Sequence, residues 1–132
     1  MKQSRVLVEP VKMHGDARGA VFEPLNVDEL RAQGNTHVVL SNPGAIRGNH
    51  YHRVGVEVTV VVGPALVRYR DVTGGGDTHE VQVPPGSAQR FSFPSGVAHA
   101  FSNPGPGVML LASFNTEVHD PSAPDVVREV LI

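Results

Sequence analysis

The sequence predicts an all-β fold, either a sandwich or a closed barrel. Three observations carry that prediction. Valine dominates the apolar residues, and a β-branched side chain packs well on a pleated sheet. The apolar runs are short and recur about every ten residues. Between them stand the turn-forming clusters NPG, TGGGD, PPG and NPGPG.

In chain order, candidate strands cover 4–8 (SRVLV), 19–23, 37–41 (HVVLS), which stops before NPG, and 56–62 (VEVTVVV). They continue with 65–72 (ALVRYRDV), which places Arg68 and Arg70 on one face, and 79–83 (HEVQV), which follows TGGGD. The last are 89–93, where Phe91 and Phe93 share a face as core candidates, then 97–102 and 108–115. One stretch, 26–34 (NVDELRAQG), predicts about two helical turns, with Asn26 as the N-cap and Gly34 as the stop. There is no repeat, linker or low-complexity tail, so residues 1–132 are expected to form one domain.

Composition narrows the class of function. With 40% hydrophobic and 18% charged residues, the chain can bury one sizeable core. A net charge of −2 argues against bulk attraction to nucleic acid or an anionic membrane. An anionic ligand must then be held by locally placed arginines. Lys2 and Lys12 are the only lysines, a bias that suits bidentate phosphate recognition but that a GC-rich genome explains equally well. No cysteine is present, which excludes disulfides and thiol chemistry. The N-terminal MKQSRVLVEP has no apolar run suited to a signal peptide and no segment suits a membrane span, so a cytoplasmic protein is expected.

The stretch RGNHYHRVGVEV, residues 47–58, holds the densest chemistry. In a strand, residues two apart share a face, so His50 and His52 project together and Tyr51 projects away. In 56–62, Glu57 shares a face with Thr59 and Val61, while Val56, Val58, Val60 and Val62 form the other. A glutamate buried in such a face is costly unless it is paired with a cation. PSGVAHAFSN, residues 94–103, adds His99 between Val97 and Phe101 on one face. Together His50, His52, Glu57 and His99 make a converging nitrogen and oxygen donor set that suits a divalent first-row metal. His14, His37, His79 and His119, each taken singly, read as ordinary barrel residues.

GAIRGNHYHRVGVEVTVVVG resembles the first cupin motif through Gly44, His50, His52 and Glu57, with Gly63 one residue earlier than usual. PSGVAHAFSN resembles the core of the second motif through Pro94, Gly96, His99 and Asn103, with Ala88 where a glycine is usual. The resemblance implies a double-stranded β-helix, or jelly roll. It also implies a metal on His50, His52, Glu57 and His99. Zinc stands first, and iron, nickel and manganese are also compatible.

HGDARGAVFEPLN, residues 14–26, resembles the D-x-R-G-x-F-x-E segment of the dTDP-4-dehydrorhamnose 3,5-epimerases, with one extra residue before Phe22. RGNHYH resembles the R-G-x-H-Y segment of the same family. RGNHYH and the ending FNTEVHDPSAPD also resemble the C-terminal cupin domain of bifunctional reductase/epimerases that make capsular-polysaccharide precursors. These resemblances imply a nucleotide-sugar epimerase or isomerase acting on a 4-keto-6-deoxy sugar. Carried over position by position, they imply that His50 is the catalytic base and that Arg18 and Arg47 bind substrate. Arg68 and Arg70 read equally as a phosphate grip or a solvated face.

Arg47 needs a bulge or turn at Gly48 to share the pocket with His50. A metal-bound His50 could not take a proton, so the base would then lie elsewhere. The lysine and late tyrosine of the rhamnose epimerases have no counterpart, since no lysine follows Lys12 and no tyrosine follows Tyr69. A single epimerisation or an isomerisation is the more comfortable expectation. The alternatives are a metal-dependent dioxygenase of a small molecule and a non-catalytic sugar-binding cupin. A homodimer formed through the valine face of 56–62 is expected, as is a separate reductase or transferase that traps the product.

Overall fold

A computed structural model describes residues 5–132. The chain folds as two facing five-stranded antiparallel sheets. One has the order β1-β9-β6-β11-β4, built from β1 (Leu7–Pro10), β9 (Ala88–Phe93), β6 (Glu57–Val62), β11 (Met109–Asn115) and β4 (Asn35–Ser41). The other has the order β12-β5-β10-β7-β8, built from β12 (Val126–Arg128), β5 (Ile46–His52), β10 (Val97–Ser102), β7 (Ala65–Asp71) and β8 (His79–Val83). A small hairpin, β2 (His14–Asp16) and β3 (Gly19–Val21), stands apart from both. The inner faces share one core in which Val61, Phe91, Phe93, Met109 and Leu111 meet Val67, Tyr69, Val97 and Phe101.

The alternation read from sequence holds on the central strands. Thr59 and Val61 are fully buried on the inner face of β6 beside Glu57, and Phe91 and Phe93 are core residues. Gly63 follows β6 where an added Cβ would overlap the Pro84 carbonyl oxygen, so only glycine fits the turn.

Several boundaries differ from expectation. The first strand begins at Leu7, and Ser4, included in the expected 4–8 run, lies outside the described residues. The run 19–23 contributes only Gly19–Val21, paired with His14–Asp16. The helix α1 (Val27–Arg31) has five residues, with the Asn26 side chain and Glu29 forming a reciprocal capping box. Its C-cap is Ala32, and Gly34 already hydrogen-bonds to the Asn115 carbonyl. β5 and β12 have no apolar run to announce them; only the His50/His52 spacing hinted at the first.

The outer face of β6 is buried, but not by a second copy. Val60 is fully covered within the chain, where Val11, Met13 and Phe22 of the N-terminal segment pack over a cluster it forms with Ala88 and Ala112. This corrects the expectation that the valine face offers a dimer surface.

β5 carries the irregularity that shapes the site. His50 pairs with His99 and Gly48 with Ala100, which leaves Asn49 as an extra, bulged residue. Gly48 and Asn49 both have positive φ, 82° and 60°. At Gly48 a Cβ would press on the His99 carbonyl, so the close approach requires glycine. Asn49 tolerates its left-handed backbone and uses its side chain to anchor the tail: Oδ1 accepts from Leu131 N and Ile132 N at 2.8 and 3.1 Å. Asn49→Gly keeps the backbone geometry and removes this anchor. The expected outcome is loss of hydrogen-exchange protection at the Leu131 and Ile132 amides while the β6 and β10 amides keep theirs, as read by NMR.

Candidate metal and substrate site

Three strands converge on one point. His50 and His52 come from β5, His99 from β10 and Glu57 from the first position of β6. One ligand atom from each lies within 4.8 Å of all the others. The imidazoles touch one another, with ring centroids 4.9 Å apart for His50 and His99 and 5.3 Å for His50 and His52. His99 is fully buried and stacked on Phe93 at 4.3 Å, which fixes its ring plane.

Hydrogen bonding then fixes its tautomer. Nδ1 lies 3.1 Å from the Val97 carbonyl, which can only accept, so Nδ1 carries the hydrogen and Nε2 points its lone pair inward in the neutral ring. His99 Nε2 and His52 Nε2 are buried without hydrogen-bond partners, although Glu57 oxygens lie 2.7 and 3.4 Å away. Two orphaned imidazole nitrogens facing a buried carboxylate fit a divalent metal ion, because coordination satisfies all three at once.

The charges agree. Burial pushes the His50 pKa down to about 4, with His99 and His52 adding to the effect and Glu57 opposing it, so this ring is neutral near pH 7. Burial alone would raise the Glu57 carboxyl, yet charge and hydrogen bonding from His99 and His52, which act when their inward nitrogens carry hydrogens in place of a metal, hold it well below the carboxylate range. Around the cluster lie supports that the sequence did not single out. Thr59 Oγ1 donates to Glu57 Oε2 at 3.2 Å and is itself 3.0 Å from Ser113 Oγ, and both hydroxyls are buried. Asp125 accepts from the Val54 and Gly55 amides at 2.9 and 2.8 Å and lies 3.8 Å from His52 Nδ1. Thr59 was legible as an inward neighbour of Glu57. Asp125 had no signal, because its reach depends on how β12 returns beside β5.

His50, His52 and Glu57 line one end of a cavity of about 350 Å³, with His99 buried behind them, and the space is large enough for a monosaccharide unit. His37 and Asn35 of β4, Asn115 of β11, and Glu117, His119 and Asp120 of the segment after β11 complete its walls. Among the described residues, no lysine or arginine lines it.

The four arginines assigned to substrate sit elsewhere. Arg18 is on the exposed β2–β3 hairpin, bonded to Asp16 at 2.7 Å. Arg68 and Arg70 occupy the face of β7 opposite core residues Val67 and Tyr69. There they bind Glu80, the Leu131 carbonyl and Glu129, which places them in the anchorage of the tail. Arg47 is different: the expected bulge at Gly48 is present and pairs it with inward-facing Phe101, yet its side chain is exposed and does not line the cavity. Its Nε donates to Ser41 Oγ at 2.9 Å, away from the cavity walls.

Two antiparallel sheets closed around an inward His/His/Glu/His set define a cupin, the jelly-roll class expected from the two motifs. Residues 14–127 match the family described as polysaccharide biosynthesis C-terminal domain, and the chain belongs to that family. It is 29% identical over 116 residues to UDP-2-acetamido-2,6-beta-L-arabino-hexul-4-ose reductase of Pseudomonas aeruginosa, covering 87% of this chain and 30% of that protein. The capsular polysaccharide assembling protein CapF of Staphylococcus aureus superposes with a TM-score of 0.67 at 28% identity, over 92% of this chain and 32% of that one. The chain thus spans about a third of the length of these two relatives. The 3'-monoepimerase ChmJ of Streptomyces bikiniensis, solved with dTDP-quinovose, gives a TM-score of 0.75 at 19% identity, over 93% of this chain and 68% of that one. At that identity the likeness is one of fold.

Two outcomes follow from this geometry. Thr59→Val keeps the side-chain shape and removes the donor to Glu57, so zinc affinity measured against a competing chromophoric chelator is expected to fall about 10–100-fold. A histidine depressed by folding stabilises the fold fully above its unfolded pKa of 6.5 and loses that contribution as the pH falls toward about 4. Metal-free protein is therefore expected to lose about 2 kcal/mol between pH 7 and pH 4 from His50, seen as a lower unfolding midpoint in calorimetry with chelator present.

Proposed function

We propose that this protein is a nucleotide-sugar epimerase or isomerase that removes a proton next to the ketone of a 4-keto-6-deoxy sugar, in the supply of polysaccharide precursors. The observation that carries the reading is the four-ligand cluster at the end of a sugar-sized cavity, in a member of this family. The chemistry needs a group that balances charge on the ketone oxygen, a base, and contacts for the diphosphate. A divalent ion, zinc first, held by His50, His52, Glu57 and His99 would supply the first of these by polarising the carbonyl.

The chain's own residues divide the remaining work. Glu57 and the three imidazoles keep the end of the cavity polar and ordered, while Phe93 and Phe101 exclude water behind His99. His50 is the base only when its lone pair is free, so its catalytic role belongs to the metal-free form. Arg47 remains the diphosphate candidate of this proposal, because the bulge pairs it with inward-facing Phe101. Arg18, Arg68 and Arg70 are already tied to Asp16, Glu80 and Glu129.

A homodimer, a separate reductase that consumes the product, and a cytoplasmic setting complete the proposal. No helix among the described residues is long and apolar enough to cross a membrane. The absence of lysine and arginine from the cavity walls among the described residues favours, as a second reading, a metal-dependent dioxygenase of an uncharged small molecule.

The deciding experiment is proton NMR of dTDP- and UDP-linked 4-keto-6-deoxy sugars incubated with the protein in deuterium oxide, with and without a chelator. Deuterium is expected at carbon 3 or carbon 5, and chelation is expected to abolish its entry. Exchange that survives chelation would return the base role to His50. A lack of exchange with every 4-keto substrate, together with oxygen uptake by the iron-loaded protein, would replace this reading with the second.

A further inference from the structure

If the three cluster histidines hold a metal, none of them is free to take a proton, and the reaction proposed above lacks a base. The cavity walls contain the candidates. Beyond the cluster, its titratable residues are His37, Glu117, His119, Asp120 and Asp125.

Asp125 is spent on the Val54 and Gly55 amides. Asp120 Oδ1 accepts from the Ser122 amide and hydroxyl at 3.0 and 2.7 Å, and the Ser122 hydrogen bonds lower its pKa, which makes it a weaker base. Glu117 and His119 lie on the irregular segment after β11, which does not hold a side chain as a strand does.

His37 lies on β4. It pairs with Ser113, which pairs in turn with Thr59, so the three residues form one row across the inner face. Two residues further along β4, Val39 packs against the main core, which confirms the direction in which His37 points. His37 thus enters the cavity from one sheet while His50 and His52 enter from the other. No side-chain hydrogen bond or ion pair occupies its ring among the described residues.

We infer that His37 is the proton-transferring residue of this cavity, facing the metal-ligand cluster across the bound sugar; this rests on the 4-keto-sugar reading. A nitrogen of the neutral ring takes the hydrogen from the carbon next to the ketone. The C–H electron pair becomes the C=C bond, and the carbonyl π pair moves onto oxygen on the side of the cluster. The proton returns to the same carbon from the other face by way of solvent, which inverts the centre with no net redox change. A planar enolate held between two unlike walls presents one face to each, and imidazole suits proton transfer near neutral pH.

The test compares wild type, His37→Ala and His119→Ala in the deuterium assay, with the zinc content of each measured alongside. His37→Ala is expected to bind zinc as wild type does and to lose exchange on the order of 100-fold or more. Added imidazole is expected to restore exchange in His37→Ala, which a merely structural role would not allow. Exchange at the wild-type rate in His37→Ala would overturn the inference and leave the 4-keto reading standing. So would loss of exchange confined to His119→Ala. A wild type that exchanges nothing would remove the parent reading and this inference with it.

Discussion

The rest of the structure is arranged around one buried charge. Glu57 is only 5% exposed, and an ionised carboxylate taken out of water carries a penalty of several kcal/mol unless it is compensated. Compensation here needs groups from three other strands: His52 on β5, His99 on β10, and Ser113 on β11 acting through Thr59. Each must arrive in register, so the electrostatics of one side chain constrain the pairing of both sheets. Replacing Glu57 by an apolar residue would relieve its desolvation but take the carboxylate away from the buried His52 and His99 nitrogens that face it.

The bulge at Gly48 and Asn49 reconciles this site with the outer layer of the protein. One extra residue changes the parity of β5, so that Arg47 and His50 look the same way although they are three apart. It also leaves Asn49 unpaired in the ladder, and its amide is then free to hold the end of the chain. Arg68 and Arg70 fasten the same tail from β7. Tail anchorage and ligand geometry are therefore two results of a single backbone irregularity.

The four residues of the cluster were legible in sequence because each lies on a strand whose period-2 pattern survives folding, and because a glutamate among valines has few stable explanations. The strands 79–83 and 97–102 were legible to the residue for the same reason. β12 was not, since three residues in a Pro- and Asp-rich ending form a strand only when β5 offers an edge. The arginines were ambiguous for a different reason. An arginine on a strand reads alike whether it meets a phosphate or a carboxylate, and in Arg68 and Arg70 the partner is the chain's own Glu80 and Glu129, far apart in sequence. His37 reads in sequence as an ordinary barrel residue because a lone histidine has no neighbour in sequence to mark it; its neighbours, Ser113 and Thr59, lie across the sheet.

The cavity divides into a part that cannot vary and a part that can. Its floor is set by hydrogen-bonded strands, whose pairing fixes the cluster residues relative to one another. One flank, residues 116–125, is irregular and mostly exposed, and it contributes Glu117, Val118, His119 and Asp120 to the wall. Loops of this kind accept substitution and changes of length at little cost to the scaffold. The wall of the cavity can therefore be reshaped by rewriting about ten residues while the strand-borne cluster stays in place, which makes this segment the natural target for altering what the cavity admits.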